Sequence, residues 1–254
     1  MSVLTYVYAL VRAEKCPPLR GTPDPMPGGE PVRLLPVAEG LWLVASTVPA
    51  QGYDQAALEA GLQDMAWLAP RALAHEAVVE HFLPCPALLP MQIFTLFISD
   101  ARALEHVFLT RERIERILQR IERHVEWGLR LTWDEKAAHA AARQRHPSFE
   151  AATGADYLAR KRDLLASDRS QWTTALEAAE RLYRTAEGEA AASRRHGDTE
   201  QAIPQSRLLL DAAFLVPSAR AGAFRTLLQR QERMLGELGI ALSLTGPWPA
   251  YNFV

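Results

Sequence analysis

Glu126-Trp127-Gly128-Leu129-Arg130-Leu131-Thr132-Trp133-Asp134 places Trp127, Leu129, Leu131 and Trp133 at every second position. Successive side chains of a strand point to opposite faces, so this spacing predicts a strand with one apolar face. Downstream the pattern becomes helical. After Gly154, the residues Tyr157, Leu158, Leu165, Trp172, Leu176, Ala179 and Tyr183 keep a seven-residue rhythm, a narrow apolar seam along a helix of several turns. An isolated coiled coil needs a longer and cleaner repeat, so packing on a sheet is expected. Residues 208–217 then read as an apolar strand, 219–236 as a helix carrying Phe224, Leu227, Leu228, Met234 and Leu235, and 240–245 as a last strand. Between helix and strand, 185–204 is rich in Ala, Glu, Arg and Gly, with Ile203 its one large apolar residue, and is expected to be a mobile connection.

Upstream of Glu126, Ser99 or Asp100 caps a predicted helix with the stripe Leu104, Val107, Phe108, Ile114, Ile117, Leu118, Ile121 and Val125. Its other face carries Arg111, Arg113, Glu115, Arg116, Arg120, Glu122 and Arg123. The interleaved glutamates make a solvated, ion-paired face the simpler account, with an anionic partner the other. Residues 87–98 are apolar except for Gln92 and Thr95, which predicts a strand buried on both faces and central in its sheet. Further back, Asp54 caps a helix that Pro70 interrupts. Pro70 is expected to start a second helix with Leu73, Val78, Val79 and Phe82, ended by Pro84 and Pro86. The first strand is expected at 5–11 and a hairpin at 33–37 and 41–48, turning at Ala38-Glu39-Gly40, while 16–31 reads as an irregular loop. The expectation is an α+β chain of two domains, 1–124 and 125–254, meeting near 123–126.

Composition bounds the function. With 254 residues, 48% apolar and 23% charged, the chain is an ordinary globular protein able to bury its own core. Thirty acidic residues against 28 basic ones give a net charge of −2, so nothing global favours a nucleic-acid or acidic-membrane partner. No run approaches the roughly 20 apolar residues that span a bilayer, and the first residues lack the charged start of a signal peptide. A soluble, cytoplasmic protein is expected. Cys16 and Cys85 have no metal-like or redox-like spacing and read as reduced thiols.

Chemical motifs are few. His75-Glu76-Ala77-Val78-Val79-Glu80-His81 resembles a zinc helix at first sight, but its histidines stand six apart. At about 100° per residue they point some 240° apart and cannot share one ion. Glu76 and Glu80 do share a face, which reads as an exposed or interface acidic edge in the absence of a partner group for acid–base work. Dinucleotide, phosphate-loop and nucleophile-elbow signatures are missing. No cofactor and no metal are expected. The terminus Thr245-Gly246-Pro247-Trp248-Pro249-Ala250-Tyr251-Asn252-Phe253-Val254 is stiff and apolar, suited to docking on its own chain or in a partner's groove.

Six pieces in order resemble the gas vesicle accessory proteins of the GvpF/GvpL family. They are the opening Tyr6-Val7-Tyr8-Ala9-Leu10-Val11; the H-E-x-V-V-E segment from His75 to Glu80; Leu89-Pro90-Met91-Gln92-Ile93-Phe94-Thr95-Leu96-Phe97, similar to the form L-P-[LV]-R-F-G-T-x-F; Glu126-Trp127-Gly128-Leu129; Tyr157-Leu158 with Lys161; and the terminus 245–253. Gln92, Ile93 and Phe94 depart from the pattern, which has Arg and then Phe-Gly there, so no role is carried onto Gln92. The resemblance implies a second domain like a modified ferredoxin-like fold, ending in an extended tail at 246–254. It also implies a non-enzymatic role in gas vesicle assembly, in the cytoplasm and at the vesicle. The implied partners are the hydrophobic major shell protein and other accessory proteins, with neither nucleic acid nor membrane among them. Glu76, Glu80, Arg116 and Arg120 are the candidate partner-binding residues. The alternatives are a permanent strut in the vesicle wall and, from another class, a small-molecule enzyme on ferredoxin-like domains.

Overall fold

A computed structural model describes residues 2–145, 154–197 and 206–254, with side chains outside 141–168. The chain divides into two compact units, one of 1–125 with 248–254 and the other of 126–247.

In the first unit, β1 (Val3–Arg12) lies between β3 (Leu41–Pro49) and the pair β4 (Ala87–Pro90) and β5 (Leu96–Phe97), while β2 (Arg33–Ala38) forms the hairpin with β3. All these pairings are antiparallel. Tyr6 to Val11 are all buried, so β1 is covered on both faces. A bulge at Tyr8 breaks the alternation. It lets Tyr6, Tyr8, Ala9 and Val11 join one core with Val44, Val48 and, from the helix above, Val78, Val79 and Phe82.

The apolar run 87–98 is therefore two short strands rather than one, and it lies outside β1 instead of at the centre of the sheet. The break has a visible cause. The Met91 amide donates to the Tyr8 carbonyl and the Val7 amide to the Thr95 carbonyl, so the chain loops out between them and then resumes pairing with β1. At the crest of this loop Phe94 has φ of 65°, a left-handed backbone that costs a side chain with a Cβ and favours glycine. The pattern resembled in the sequence has its glycine at this position.

Four helices complete this unit: α1 (Gln55–Gly61), α2 (Met65–His81), α3 (Asp100–Leu109) and α4 (Arg111–Ile121). Asp54, Asp64 and Ser99 cap α1, α2 and α3 by accepting backbone N–H bonds. The break between α1 and α2 falls at Asp64, and Pro70 sits inside α2 instead of starting it. A proline six positions into a helix forfeits one bond to the preceding turn, and here the Asp64 cap and the core contacts of Val78 and Val79 hold the helix through it. The predicted single helix after Ser99 is likewise two, parted at Thr110. That break turns Phe108 out of the stripe, and Val125 belongs to the following strand.

The second unit runs β6 (His124–Trp133), α5 (Glu135–Arg145), α6 (Gly154–Glu189), β7 (Ala192–Arg195), β8 (Arg207–Pro217), α7 (Ala221–Gln229), α8 (Glu232–Gly236) and β9 (Ile240–Trp248). Its sheet order is β7-β8-β6-β9. In chain order this is second, third, first, fourth, the ferredoxin-like βαββαβ arrangement. Trp127, Leu129, Leu131 and Trp133 are all buried, as their spacing predicts. From the seam on α6, Trp172 packs edge-on against Trp133 and Tyr183 against Phe214. The side chains of Tyr157, Leu158, Lys161 and Leu165 lie outside the described residues.

The expected mobile connection at 185–204 is corrected over its first half. The α6 helix continues to Glu189 and β7 pairs with β8 from Ala192 to Arg195, so small and charged residues here end a helix and form an edge strand. Residues 198–204 lie outside the described residues. The terminal segment is corrected as well: Trp248–Val254 belongs to the first unit, not to the second. Gly246, within β9, precedes it with φ of 122°, where a Cβ would stand 2.7 Å from the Glu126 carbonyl oxygen, so this position admits only glycine without a shift.

Candidate functional site

The H-E-x-V-V-E segment occupies the C-terminal half of α2, and its residues separate by face. His75, Val78 and Val79 are buried, Glu76 is half-buried and Glu80 is exposed. His75 Nε2 stands 3.2 Å from the Met91 carbonyl, which can only accept, so this nitrogen carries the proton. Its Nδ1 then accepts from the Tyr6 hydroxyl at 2.7 Å, and that hydroxyl accepts from the Phe94 amide at 3.2 Å. Burial holds the imidazole neutral, lowering its pKa from 6.5 to about 4, and pushes the Tyr6 phenol well above its usual range. Beside it the Tyr8 hydroxyl accepts from the Met26 amide and pairs with the Ser46 hydroxyl. These groups satisfy one another, which is what a polar cluster needs in order to stay in a core.

His81 turns elsewhere, to the Pro18 carbonyl at 3.3 Å, so the two histidines do not converge. Among the described residues no group of three or more His, Cys, Asp or Glu side chains could hold a metal ion. No described helix is long and apolar enough to cross a membrane. Cys16 and Cys85 are both free.

Of the four candidate residues, two meet the chain's own terminus. Tyr251 donates its hydroxyl to Glu76 at 2.7 Å, and the Arg120 guanidinium stands 5.6 Å from the centre of the Phe253 ring. Phe253, at 4% exposure, and Ala250 are buried, so the segment docks on the first unit, one of the two ends its stiffness and apolar character allow. Burial raises the Glu76 carboxyl above its usual range, the Tyr251 hydrogen bond opposes that, and the neighbouring Glu80 charge adds to it. Glu80 and Arg116 are exposed, and the Arg116 Nε reaches only the Glu112 carbonyl one turn back, at 3.4 Å.

Side chains that the sequence reading took only as parts of apolar helix stripes, Leu73 and Phe108 among them, are the more unusual, because the structure leaves them in solvent. The N-terminal half of α2 exposes Met65 (71%) and Leu73 (72%), with Ala66, Pro70 and Ala72 exposed between them and Leu62 just before. The helix is apolar almost all round, yet the core takes only part of its circumference, and that excess was the available signal. Phe108 (70%) and Leu109 (74%) likewise stand exposed where α3 meets α4. Isolated exposed apolar residues are ordinary, but grouped ones mark places where something binds.

Fold and surface together define a two-unit α+β protein with a ferredoxin-like second unit and grouped apolar side chains left in solvent. The family described as "Gas vesicle synthesis protein GvpL/GvpF" matches residues 4–254. Gas vesicle protein L of Streptomyces sp. (strain CB03234) is 32% identical over 255 residues, covering 98% of this chain and 92% of that protein. The crystal structure of the gas vesicle protein GvpF from Anabaena sp. PCC7120 superposes with a TM-score of 0.69 at 14% identity, over 99% of this chain and 96% of that one. GvpF from Microcystis aeruginosa gives 0.66 at 13%, over 100% and 99%. The structural likeness shows the shared fold; the sequence match shows kinship. The chain belongs to the GvpL/GvpF family of gas vesicle synthesis proteins, and its role is related to gas vesicles.

Proposed function

We propose that this protein is a non-catalytic assembly factor that binds the hydrophobic gas vesicle shell protein, together with other accessory proteins, during vesicle formation. The observation that carries the reading is the apolar first half of α2 with Leu62 just before it, where Leu62, Met65 and Leu73 lie in solvent although Val78 and Val79 of the same helix pack into the core. A shell subunit with a poorly wetted face self-associates before it is placed, and a soluble factor with an apolar strip covers that face transiently. Leu73, Glu76 and Glu80 stand three and seven positions apart on one face of the helix, so the carboxylates border the strip and give it a polar rim. Arg116 and Arg120 contribute a basic border on α4, Arg120 while it packs on Phe253.

Titration of the full chain with purified shell protein tests this. Saturable binding is expected, and no measurable binding at tens of micromolar overturns the proposal. Washing isolated vesicles with urea then separates a transient factor, which should be absent from them, from a permanent strut, which should be retained.

A further inference from the structure

A second surface has a different chemistry. Where α3 ends and α4 begins, Phe108 and Leu109 line an open cleft of ≈ 570 Å³ with Arg111, Arg113, Arg116 and Glu112. Two of the most exposed apolar side chains of the molecule thus stand beside three cations and a single anion. Three other arginines of this unit are paired with carboxylates: Arg12 with Glu115, Arg33 with Asp100 and Arg102 with Glu105. Among the described residues, Arg111, Arg113 and Arg116 pair with none, although Glu115 lies on the same helix and is committed to Arg12.

We propose that this cleft is a docking site for an acidic, amphipathic helical segment of another protein. Phe108 and Leu109 supply the apolar floor on which the segment's own apolar stripe is buried. The three guanidiniums, planar and able to grip a carboxylate with two N–H groups, pair with Asp or Glu on its flanks. Arginine beside an aromatic anchor is the composition that concentrates binding energy in protein interfaces. Glu112, standing among the arginines, repels phosphate and helps position a partner with its own basic residue there. The near-neutral chain adds no long-range pull on polyanions, which leaves the short-range match of charge and shape as the selecting term. This inference shares Arg116 with the basic border of the proposed shell-binding surface and is otherwise independent of the strip on α2.

The test pans a displayed library of random helical peptides against the full-length protein. Recovered sequences are expected to carry Leu, Ile or Phe at spacings of three and four, flanked by Asp and Glu. A labelled synthetic copy of the most frequent one should lose at least tenfold in affinity on R111E/R113E/R116E and on F108S/L109S. It should also weaken as NaCl is raised, and keep part of its affinity when the three arginines become lysine. M65S/L73S should leave it unchanged, which keeps failure here distinct from failure of the shell-binding reading. All substituted side chains are at the surface, so an unchanged thermal midpoint is expected, and R111Q/R113Q/R116Q serves if charge reversal disturbs the fold. Absence of acidic enrichment, or affinity that survives both sets of substitutions, overturns the proposal. Tighter capture of phosphatidylglycerol vesicles, abolished by the same substitutions, overturns it in favour of a lipid surface.

Discussion

Helices α2 and α4 belong to the same unit and answer to different demands. In α4, Ile114, Leu118 and Ile121 recur at spacings of three and four, and all three are buried while the charged positions between them are exposed or half-buried. In α2, apolar residues occupy nearly the whole circumference, yet only His75, Val78 and Val79 are buried and Met65 and Leu73 are left in water. The core accounts for the sequence of α4 and for the second half of α2. It does not account for the first half. Apolar surface in excess of what folding uses is retained at a cost in solubility, which is the ground for the proposal that it binds a partner.

The comparison breaks most directly at the core. Leu118→Ala in α4 should cost about 3 kcal/mol, and Phe253→Ala, which empties the place of the docked terminus, a similar amount. Hydrogen exchange of the β1 amides, which reports on the first unit alone, measures both. If Phe253→Ala leaves that protection unchanged, the terminal segment is not part of this unit's core.

His75 distinguishes the two halves of α2 by pH. Folding favours the neutral ring, so its contribution is complete above pH 6.5 and is lost as the pH falls through about 4. The depressed pKa corresponds to roughly 3 kcal/mol at the acid end. Protection of the β1 amides should therefore fall between those limits. In His75→Gln, which can still meet the Tyr6 hydroxyl and the Met91 carbonyl, this part of the fall should vanish. An identical pH profile in both proteins would contradict the buried neutral ring.

A smaller effect reverses a familiar order. Phe94 is left-handed and packs against Trp67, with ring centres 5.5 Å apart. Phe94→Ala loses the packing and keeps the strain, while Phe94→Gly loses the packing and relieves it, so glycine should be the more stable of the two by about 1 kcal/mol. Urea midpoints of the two variants decide this.

Much of the architecture was legible because it follows from periodicity. The two-residue alternation of Trp127 to Trp133 and the hairpin about Gly40 lie where the pattern puts them. What escaped depends on partners distant in sequence. The run 87–98 has no internal mark of its interruption, because the break is made by hydrogen bonds to Val7 and Tyr8. Asp64 outweighed Pro70 as the helix boundary because a side-chain cap satisfies a backbone donor that the chain must otherwise leave open. The roles of Glu76 and Arg120 toward the terminus were not readable, since Tyr251 lies 175 residues from Glu76. For the exposure of Met65 and Leu73 the one signal was the all-round apolar character of α2, and that of Phe108 and Leu109 had none: an apolar residue in a sequence signals burial, and only the finished core shows which ones it leaves over.

The smallest expected effect on stability carries the central claim. Met65→Ser with Leu73→Ser should shift the urea midpoint by no more than about 0.5 kcal/mol, as exposed positions do. The same double variant should bind the shell protein at least tenfold more weakly in a titration with the full chain. Unchanged affinity, or a loss of affinity that merely follows a loss of folding, would contradict the assignment of the α2 strip to partner binding.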